Sequence, residues 1–414
     1  MRIGMQTWGS DGDIRPVLAL GGGLARRGHT VSVAVTSVDR KDYTLLCKNL
    51  GISYVPVVAE HRIEVNEMLA ACGKNPSALR MVRMLLGDFF FPALAPMDEA
   101  ARALADESDL LVGHMLAWPL HARAIRARKP YASVAYWPGL IPDHRRPPEG
   151  LPAMGRWLNG VLWKLSAHAI DLAVGPRLRA FWDEQGLPRR HAMPDTMYSR
   201  DLNLVASTPA LYPGLGDWAQ HRFCGQFTIP ALAEPSLPAE LEAFLADGEP
   251  PAFLGMGSSA QIDVDACEAF VVDVATRLGR RCVVQLAPGR AIPKAKGEIH
   301  FVHNVAHGPL FPRVAAVMHH GGAGTTHSVL AAGKPAVIVA FMAEQTAWGR
   351  QLVRAGAGGG VFRYTKVAPE RVAAALGATM SSAPLRAGAE RLAEAMRQDG
   401  GVETAATHLE ALAR

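Results

Sequence analysis

Short apolar runs rich in β-branched residues alternate with helix-period stretches along almost the whole chain, a pattern that predicts parallel strands joined by helices. The first run, Arg2 to Thr7, is a predicted strand. It meets a glycine-rich turn, Trp8 to Asp13, and then a helix that opens near Pro16 and stops at Gly28. His29–Thr36 is the next predicted strand. A second unit of this kind lies far down the chain. Val314–Met318 suits a buried strand, His320-Gly321-Gly322-Ala323-Gly324 is a glycine-rich turn, and Ser328–Ala332 is a helix with Thr325 and Thr326 as its N-cap candidates. Gly333 and Lys334-Pro335 end that helix, and Ala336–Phe341 is another strand. Two β-turn-α-β units, one near each end, predict an α/β protein of two doubly wound domains facing one crevice.

The alternation continues between them. Tyr54–Val58, Leu110–Val112, Tyr131–Tyr136 and Leu202–Ser207 are predicted strands. Ala100–Asp106, Trp118–Arg128 and Leu158–Phe181 are predicted helices, and Ala78–Phe91 is an apolar helix or loop. Trp137–Pro152 is irregular and proline-rich, as functional loops often are. Phe227–Leu241 carries Pro230, Pro235 and Pro238 with no periodicity, and suits an interdomain linker. Beyond it come a strand and turn at Pro251, a helix over Asp265–Leu278, strands at Cys282–Leu286 and Ile299–Val302, a helix over Thr346–Ala355 and an alanine-rich helical end from Pro369. At 414 residues the chain exceeds one ordinary core, which agrees with two domains.

Composition narrows the function classes. The 43 basic and 38 acidic residues leave a mild +5 with no long basic run, which argues against nucleic-acid binding. The short cluster His144-Arg145-Arg146 suits a solvated loop, or a contact with an anionic substrate or membrane surface. The five cysteines are far apart without metal-ligand spacing, as expected for reduced, mostly buried thiols. The N-terminus MRIGMQTWGS has no signal core, and no apolar run reaches the roughly 18–20 residues of a membrane span. A soluble, cytoplasmic chain is expected.

The chemistry concentrates in the turns. Glycines let backbone N–H groups approach a ligand, and the helix N-terminus favours an anion, so the 320–324 turn suits a phosphate or diphosphate. No Gly-Lys-Ser/Thr follows it, and His327 stands where a dinucleotide fingerprint needs its third glycine, so NTPase and dehydrogenase readings are weak. Glu344-Gln345, after the next strand, offers a carboxylate and an amide suited to sugar hydroxyls. Asp11 and Asp13 could hold Mg²⁺, but with no third ligand nearby Asp13 is preferred as a base, while Asp263 and Asp265 suit a helix cap. His319, His320 and His327 do not share a helix face as metal ligands would, so no metal site is expected. Ser258 and Ser259 form a third phosphate-facing candidate. Phe89-Phe90-Phe91, Met115, Trp118, Tyr136 and Trp137 are candidates for lining an apolar cavity.

These residues carry a family resemblance. His320-Gly-Gly-Ala-Gly-Thr-Thr-His, then Ala-Gly-Lys-Pro, then Glu344-Gln345, resembles the donor-binding signature of family 1 glycosyltransferases. Gly9-Ser10-Asp11-Gly12-Asp13-Ile-Arg-Pro is similar to the N-terminal motif of the subset that includes sterol glucosyltransferases and glycopeptide-antibiotic glycosyltransferases, and Asn304 to Val314 also looks like the sterol-type enzymes. The resemblance implies the GT-B fold: an acceptor-binding Rossmann-like domain over 1–226, a linker over 227–241, a nucleotide-sugar domain over 242–395, and a C-terminal helix, 396–414, returning to the N-terminal domain. It implies transfer, with inversion, of a hexose from a nucleotide sugar, UDP-glucose by default or a dTDP-deoxysugar, to a hydroxyl of a lipophilic acceptor such as a sterol or polyketide. Asp13 is then the base. Ser10, Phe89, Trp118 and Trp137 are acceptor-side expectations. Ser258, His320, Gly322, Gly324 and Thr325 match diphosphate positions, Val305 a position whose backbone reads the nucleobase, and Glu344 and Gln345 the pair on the sugar. Many plant relatives have Glu where this chain has Ser328, so the ribose contact has no counterpart. No metal or other cofactor is expected, and peripheral membrane contact and a monomer or homodimer are compatible. The competing readings are a nucleotide-sugar epimerase of the same fold and a non-catalytic partner of a glycosyltransferase.

Overall fold

Thirteen parallel strands among the described residues divide into two sheets, and their connection order fixes where a ligand can sit. The structure, a computed structural model, describes residues 1–60, 80, 83–187, 196–215, 219–229, 236–287, 289–293 and 297–414, apart from the side chains of residues 173, 258 and 261. Cys72 and most of 78–82 lie outside the described residues.

The first sheet runs in the order β3-β2-β1-β4-β5-β6-β7. Its strands are β1 (Arg2–Gly9), β2 (Thr30–Ser37), β3 (Ser53–Pro56), β4 (Leu110–His114), β5 (Tyr131–Ala135), β6 (Leu202–Val205) and β7 (His221–Phe223). The order reverses at β1, which pairs with β2 from Arg2↔Thr30 to Gly9↔Ser37 and with β4 from Ile3↔Leu110 to Gln6↔Gly113. A crevice opens at the carboxyl ends of strands flanking such a reversal. β1 runs two residues past its expected end because Trp8 is buried and Gly9 still pairs. Around this sheet lie α1 (Asp11–Arg26), α2 (Thr44–Leu50), α3 (Phe91–Glu107), α4 (Trp118–Ala127) and α5 (Arg156–Glu184). α3 is much longer than Ala100–Asp106: it follows a π-turn over Leu85–Phe90, and Pro92 sits in its first turn, where a missing N–H costs little.

The second sheet repeats the design as β10-β9-β8-β11-β12-β13, reversing at β8. Its elements in chain order are α6 (Ala239–Ala246), β8 (Ala252–Gly255), α7 (Val264–Leu278), β9 (Cys282–Gln285), β10 (Ile299–Val302), α8 (His307–Leu310), β11 (Ala316–His319), α9 (Ala323–Ala331), β12 (Ala336–Ala340), α10 (Ala343–Arg354), β13 (Gly358–Arg363), α11 (Pro369–Ser381), α12 (Ala383–Arg397) and α13 (Val402–Leu412). α6 takes up the last residues of the expected linker, part of which lies outside the described residues. Asp263 caps α7, its Oδ1 accepting from the Ala266 N–H at 3.0 Å, as the D-x-D pattern there suggested. The four described cysteines are free and buried. No helix among the described residues is long and apolar enough to cross a membrane.

Several contacts among the described residues tie the lobes. Leu211 and Tyr212, beyond β6, join the apolar cluster of the second sheet beside Phe253 and Trp348. Glu149 accepts from Arg350 at 3.1 Å. α13 returns across the first sheet's flank and packs on α1, where Arg27 makes a two-pronged contact with Glu410 at 2.8 and 2.7 Å. The fit of α13 on α1 is close: a Cβ on Gly23 would overlap Val402 Cγ1. Gly23→Ala should therefore destabilise the protein by about 1–3 kcal/mol through overpacking, outweighing the roughly 1 kcal/mol of helix propensity gained. Urea titration checks this, and Val402→Ala in the same chain should recover part of the loss.

Candidate active site

Two walls face each other across the cleft, each built on a sheet reversal. On the first, β1 ends at Gly9 and α1 starts at once, with Ser10 as N-cap and Asp13 in its first turn. Asp13 folds back on the cap: its Oδ2 accepts from the Ser10 N–H at 2.9 Å and from Ser10 Oγ at 3.0 Å. Gly9, at φ +139°, is required here, because a Cβ would overlap the Asp13 carboxylate. The Asp13 carbonyl is itself held by Thr7 Oγ1 at 3.2 Å and by the Tyr136 hydroxyl. Capping uses only Oδ2, and no described residue bonds Oδ1. Burial pushes the Asp13 pKa up, against the two Ser10 bonds that favour the anion. The other carboxylate of the D-x-D turns away: Asp11 accepts from the Tyr43 hydroxyl at 3.0 Å.

On the second wall, register does the assembly. His319 pairs with Gly255, so the turns following β11 and β8 lie side by side. The His320 ring is wedged between them: its Cε1 stands 2.6 Å from where a Gly257 Cβ would be, and a Cβ on Gly322 would overlap its Nε2. His320 is buried and its pKa falls to about 4, mainly through desolvation, so the ring is neutral near pH 7. α9 begins at Ala323 with Gly322 as N-cap, earlier than the threonine caps expected from the sequence. Thr326 instead bonds back to the Gly322 carbonyl through both N and Oγ1. The N–H groups of Ala323, Gly324 and Thr325 thus have no acceptor within the helix, and the space over Gly324 is open. This is a cradle for an anion.

The next strand brings Glu344 and Gln345, in different states. Gln345 is buried and its amide is occupied: Oε1 accepts from the N–H groups of Phe341 at 2.8 Å and Met342 at 3.2 Å, and Nε2 donates to Ser259 Oγ at 3.1 Å. It braces the turn against the one after β8, with one N–H left for a ligand. Glu344 is open to the cleft yet crowded by protein; desolvation, then the charge of Asp13, raise its pKa. Asp13 and Glu344 therefore sense each other across the gap. Val305 is buried in the apolar cluster of the second sheet. Ser258 lies in the turn after β8, its side chain outside the described residues.

The acceptor-side expectations need correction. Phe89 and Trp118 are 1 % and 0 % exposed and belong to the core of the first lobe, with Phe90 edge-on to Trp118 at 4.5 Å. They support a wall rather than form its surface. Leu85, Phe91, Leu94 and Met115 are half-buried at the edge of that cluster. Trp137 packs against the cluster of the second lobe, while Ser10 is exposed at the cleft. Arg145 and Arg146 also depart from the solvated loop expected of them: Arg145 pairs with Asp143 at 2.9 Å, and Arg146 is over the Tyr212 ring and donates to the Pro138 carbonyl.

One contact escaped the sequence reading. His327 Nδ1 donates to the Ala323 carbonyl at 2.8 Å, which leaves Nε2 to accept from Ser207 Oγ at 3.3 Å. Its ring lies edge-on to Trp348 at 5.1 Å. Ser207 belongs to the first lobe and His327 to the cradle helix, so this bond links the anion site to the other lobe. The only signal in the sequence was a histidine where a fingerprint glycine was missing.

Comparison with known proteins agrees with this geometry. Residues 270–412 match the erythromycin biosynthesis protein CIII-like C-terminal domain. Over essentially its whole length the chain is similar to the O-mycaminosyltylonolide 6-deoxyallosyltransferase of Streptomyces fradiae, at 27 % identity over 99 % of this chain and 97 % of the relative. It is 28 % identical to the vancomycin aglycone glucosyltransferase of Amycolatopsis orientalis, over 100 % and 98 %. The crystal structure of the glycosyltransferase of kitacinnamycin superimposes with a TM-score of 0.74 at 20 % identity, over 99 % of this chain and 98 % of that one. The homologues and structural neighbours are glycosyltransferases, and the fold is GT-B.

If the Ser207–His327 bond sets the spacing of the lobes, Ser207→Ala and His327→Gln should each slow glycosyl transfer by about 2–10-fold, the equivalent of roughly 0.5–1.5 kcal/mol. The double variant should lose no more than the worse single one. Nucleoside diphosphate affinity, measured by calorimetry, should stay within about twofold, since a hydrogen bond of this size lies outside the cradle itself. Losses that simply add would show that the two residues act independently.

Proposed function

We propose that this glycosyltransferase moves a hexose, with inversion, from a nucleoside diphosphate sugar, UDP-glucose by default, to a hydroxyl of a lipophilic natural product, with Asp13 as the base. The observation that carries the reading is the opposition of Asp13, with Oδ1 unspent, to Glu344 and the cradle helix across one cleft. The names of the relatives support the substrate class, since one is a 6-deoxyallosyltransferase named for O-mycaminosyltylonolide and another a glucosyltransferase named for the vancomycin aglycone.

In this reading the donor diphosphate lies on the α9 N-terminus, under the N–H groups of Ala323, Gly324 and Thr325 and beside the His320 ring. Such a terminus contributes about 0.3–1 kcal/mol when exposed and up to ~2 when partly buried. As the bond from the anomeric carbon to the diphosphate oxygen breaks, negative charge grows on the leaving group, and these fixed donors stabilise it as it grows. Neutral His320 serves as a hydrogen-bond donor, and an adjacent diphosphate would raise its pKa. Glu344 accepts from sugar hydroxyls. The acceptor oxygen attacks from the opposite face and its proton passes to Asp13 Oδ1. A carboxylate is too weak a base for a free alcohol, but it can take the proton late, when attack on an oxocarbenium-like carbon has acidified the hydroxyl. The proposal needs no metal ion, because the leaving group is stabilised by the cradle.

Asp13→Asn should lower turnover by about 10²–10⁴-fold while leaving nucleoside diphosphate binding intact. Retention of most activity would sink the assignment. Consumption of donor without an acceptor, at a comparable rate, would point to an epimerase. The pH profile gives a second check. Activity needs ionised Asp13, so kcat/KM should fall as pH drops through its raised pKa. Ser10→Ala removes a bond to the anion, raises that pKa further, and should move the acid limb to higher pH. A shift to lower pH would contradict the role of Ser10.

A further inference from the structure

Half of the exposed large apolar side chains among the described residues fall between Leu140 and Leu172, and the most exposed lie on α5: Trp157 at 77 %, Leu172 at 69 % and Leu165 at 60 %. They share a face. At the helical period, Trp157, Val161, Lys164, Leu165, His168 and Leu172 fall within a sector of about 100°, extending roughly 22 Å along the axis. The later turns of the same helix bury Val174, Leu178, Phe181 and Trp182 in the core of the first lobe. The outward sector has no such covering among the described residues.

Its charge is of one sign. The exposed lysine and arginine over this stretch are Lys164, within the sector, and Arg156, at the start of the helix. The carboxylates of the preceding loop are turned inward on partners, Asp143 on Arg145 and Glu149 on Arg350. Asp171 is half-buried at the flank. A second copy of the chain seated here would bring Lys164 near its own equivalent, whereas lipid phosphates would complement it. A tryptophan at one end of an apolar stripe with cationic neighbours matches an element lying in the headgroup plane rather than crossing the bilayer.

We propose that the outer face of α5 docks the first lobe onto an anionic phospholipid surface, with Trp157, Leu165 and Leu172 in the interface and Lys164 against lipid phosphates. The inference goes beyond the transferase reading and does not rest on it, although a lobe resting on a membrane would stand where lipophilic acceptors accumulate.

Vesicle flotation of the full chain tests it. The protein should float with vesicles of phosphatidylcholine mixed with phosphatidylglycerol, much less with phosphatidylcholine alone, and salt should weaken the binding. Trp157→Ser, Leu165→Ser and Leu172→Ser combined should reduce binding to the anionic vesicles by about tenfold or more, and Lys164→Glu should reduce it by a smaller factor. A thermal melting curve must show that these variants stay folded. The proposal falls if the chain ignores anionic vesicles, or if the triple variant binds them as well as the parent. It falls equally if the chain proves a dimer that the triple variant dissociates while neither form binds vesicles.

Discussion

The chemistry open to this cleft depends on holding a carboxylate of one sheet against a helix N-terminus of another, and neither sheet can do that alone. Asp13 is fixed locally by Ser10, Thr7 and Tyr136. The cradle is fixed locally by strand register and by the glycines around His320. The contacts that tie the two lobes lie elsewhere, among them Ser207 on His327, Tyr212 against Trp348 and α13 folded over α1. Most of these ties are short, polar or aromatic contacts near the cleft, and a change of tenths of an ångström there is felt where the reacting atoms meet. The chain thus separates two tasks: glycine-rich turns build each half-site, and long-range contacts tie the lobes.

Electrostatics in the cleft disfavours charge on its two carboxylates and leaves no charged side chain at the cradle among the described residues. Asp13 and Glu344 both have their pKa values raised by desolvation, and Asp13 raises that of Glu344 further. On the second wall, beside Glu344, the imidazoles of His319, His320 and His307 are driven neutral by burial, and no cation stands at the cradle among the described contacts. In the proposed reading, anion binding there relies on N–H dipoles, which keep their orientation whatever the pH. An arginine would bind ground-state diphosphate tightly and hold the product too. Fixed dipoles do less in the ground state and more as charge grows on the leaving oxygen, the balance that turnover requires.

Much of the donor wall was legible in the sequence because backbone and small residues build it. Glycines at 257, 321 and 322, with a helix starting directly after a strand, leave a local signature. The helix start was misplaced by the threonines, since Thr326 satisfies its hydroxyl on the Gly322 carbonyl instead of capping. Gln345 was legible as a position but not as a brace, because its partner Ser259 lies 86 residues away. The same distance in sequence hid Ser207 from His327. Arg145 and Arg146 carry a solvated-loop signature, yet one is paired with Asp143 and the other packed on Tyr212. Short-range pattern cannot foresee either.

The acceptor wall was illegible for a different reason. Aromatic content suggested Phe89 and Trp118 as contact surface, but large rings gain most by full burial, and the fold used them that way. What remains at the rim of that cluster is Leu85, Phe91, Leu94 and Met115, mostly flexible aliphatic or thioether side chains with no polar group to fix an orientation. A surface of that kind selects by volume and apolarity, and a missing methylene costs a ligand only about 1–3 kcal/mol. In the proposed reading, stereochemical choice among acceptor hydroxyls comes from the first turn of α1, where Asp13 Oδ1 and the exposed Ser10 hydroxyl sit. On that reading, acceptor breadth and hydroxyl selectivity reside in different parts of the lobe: the rim can vary with little loss as long as the first turn of α1 keeps its geometry.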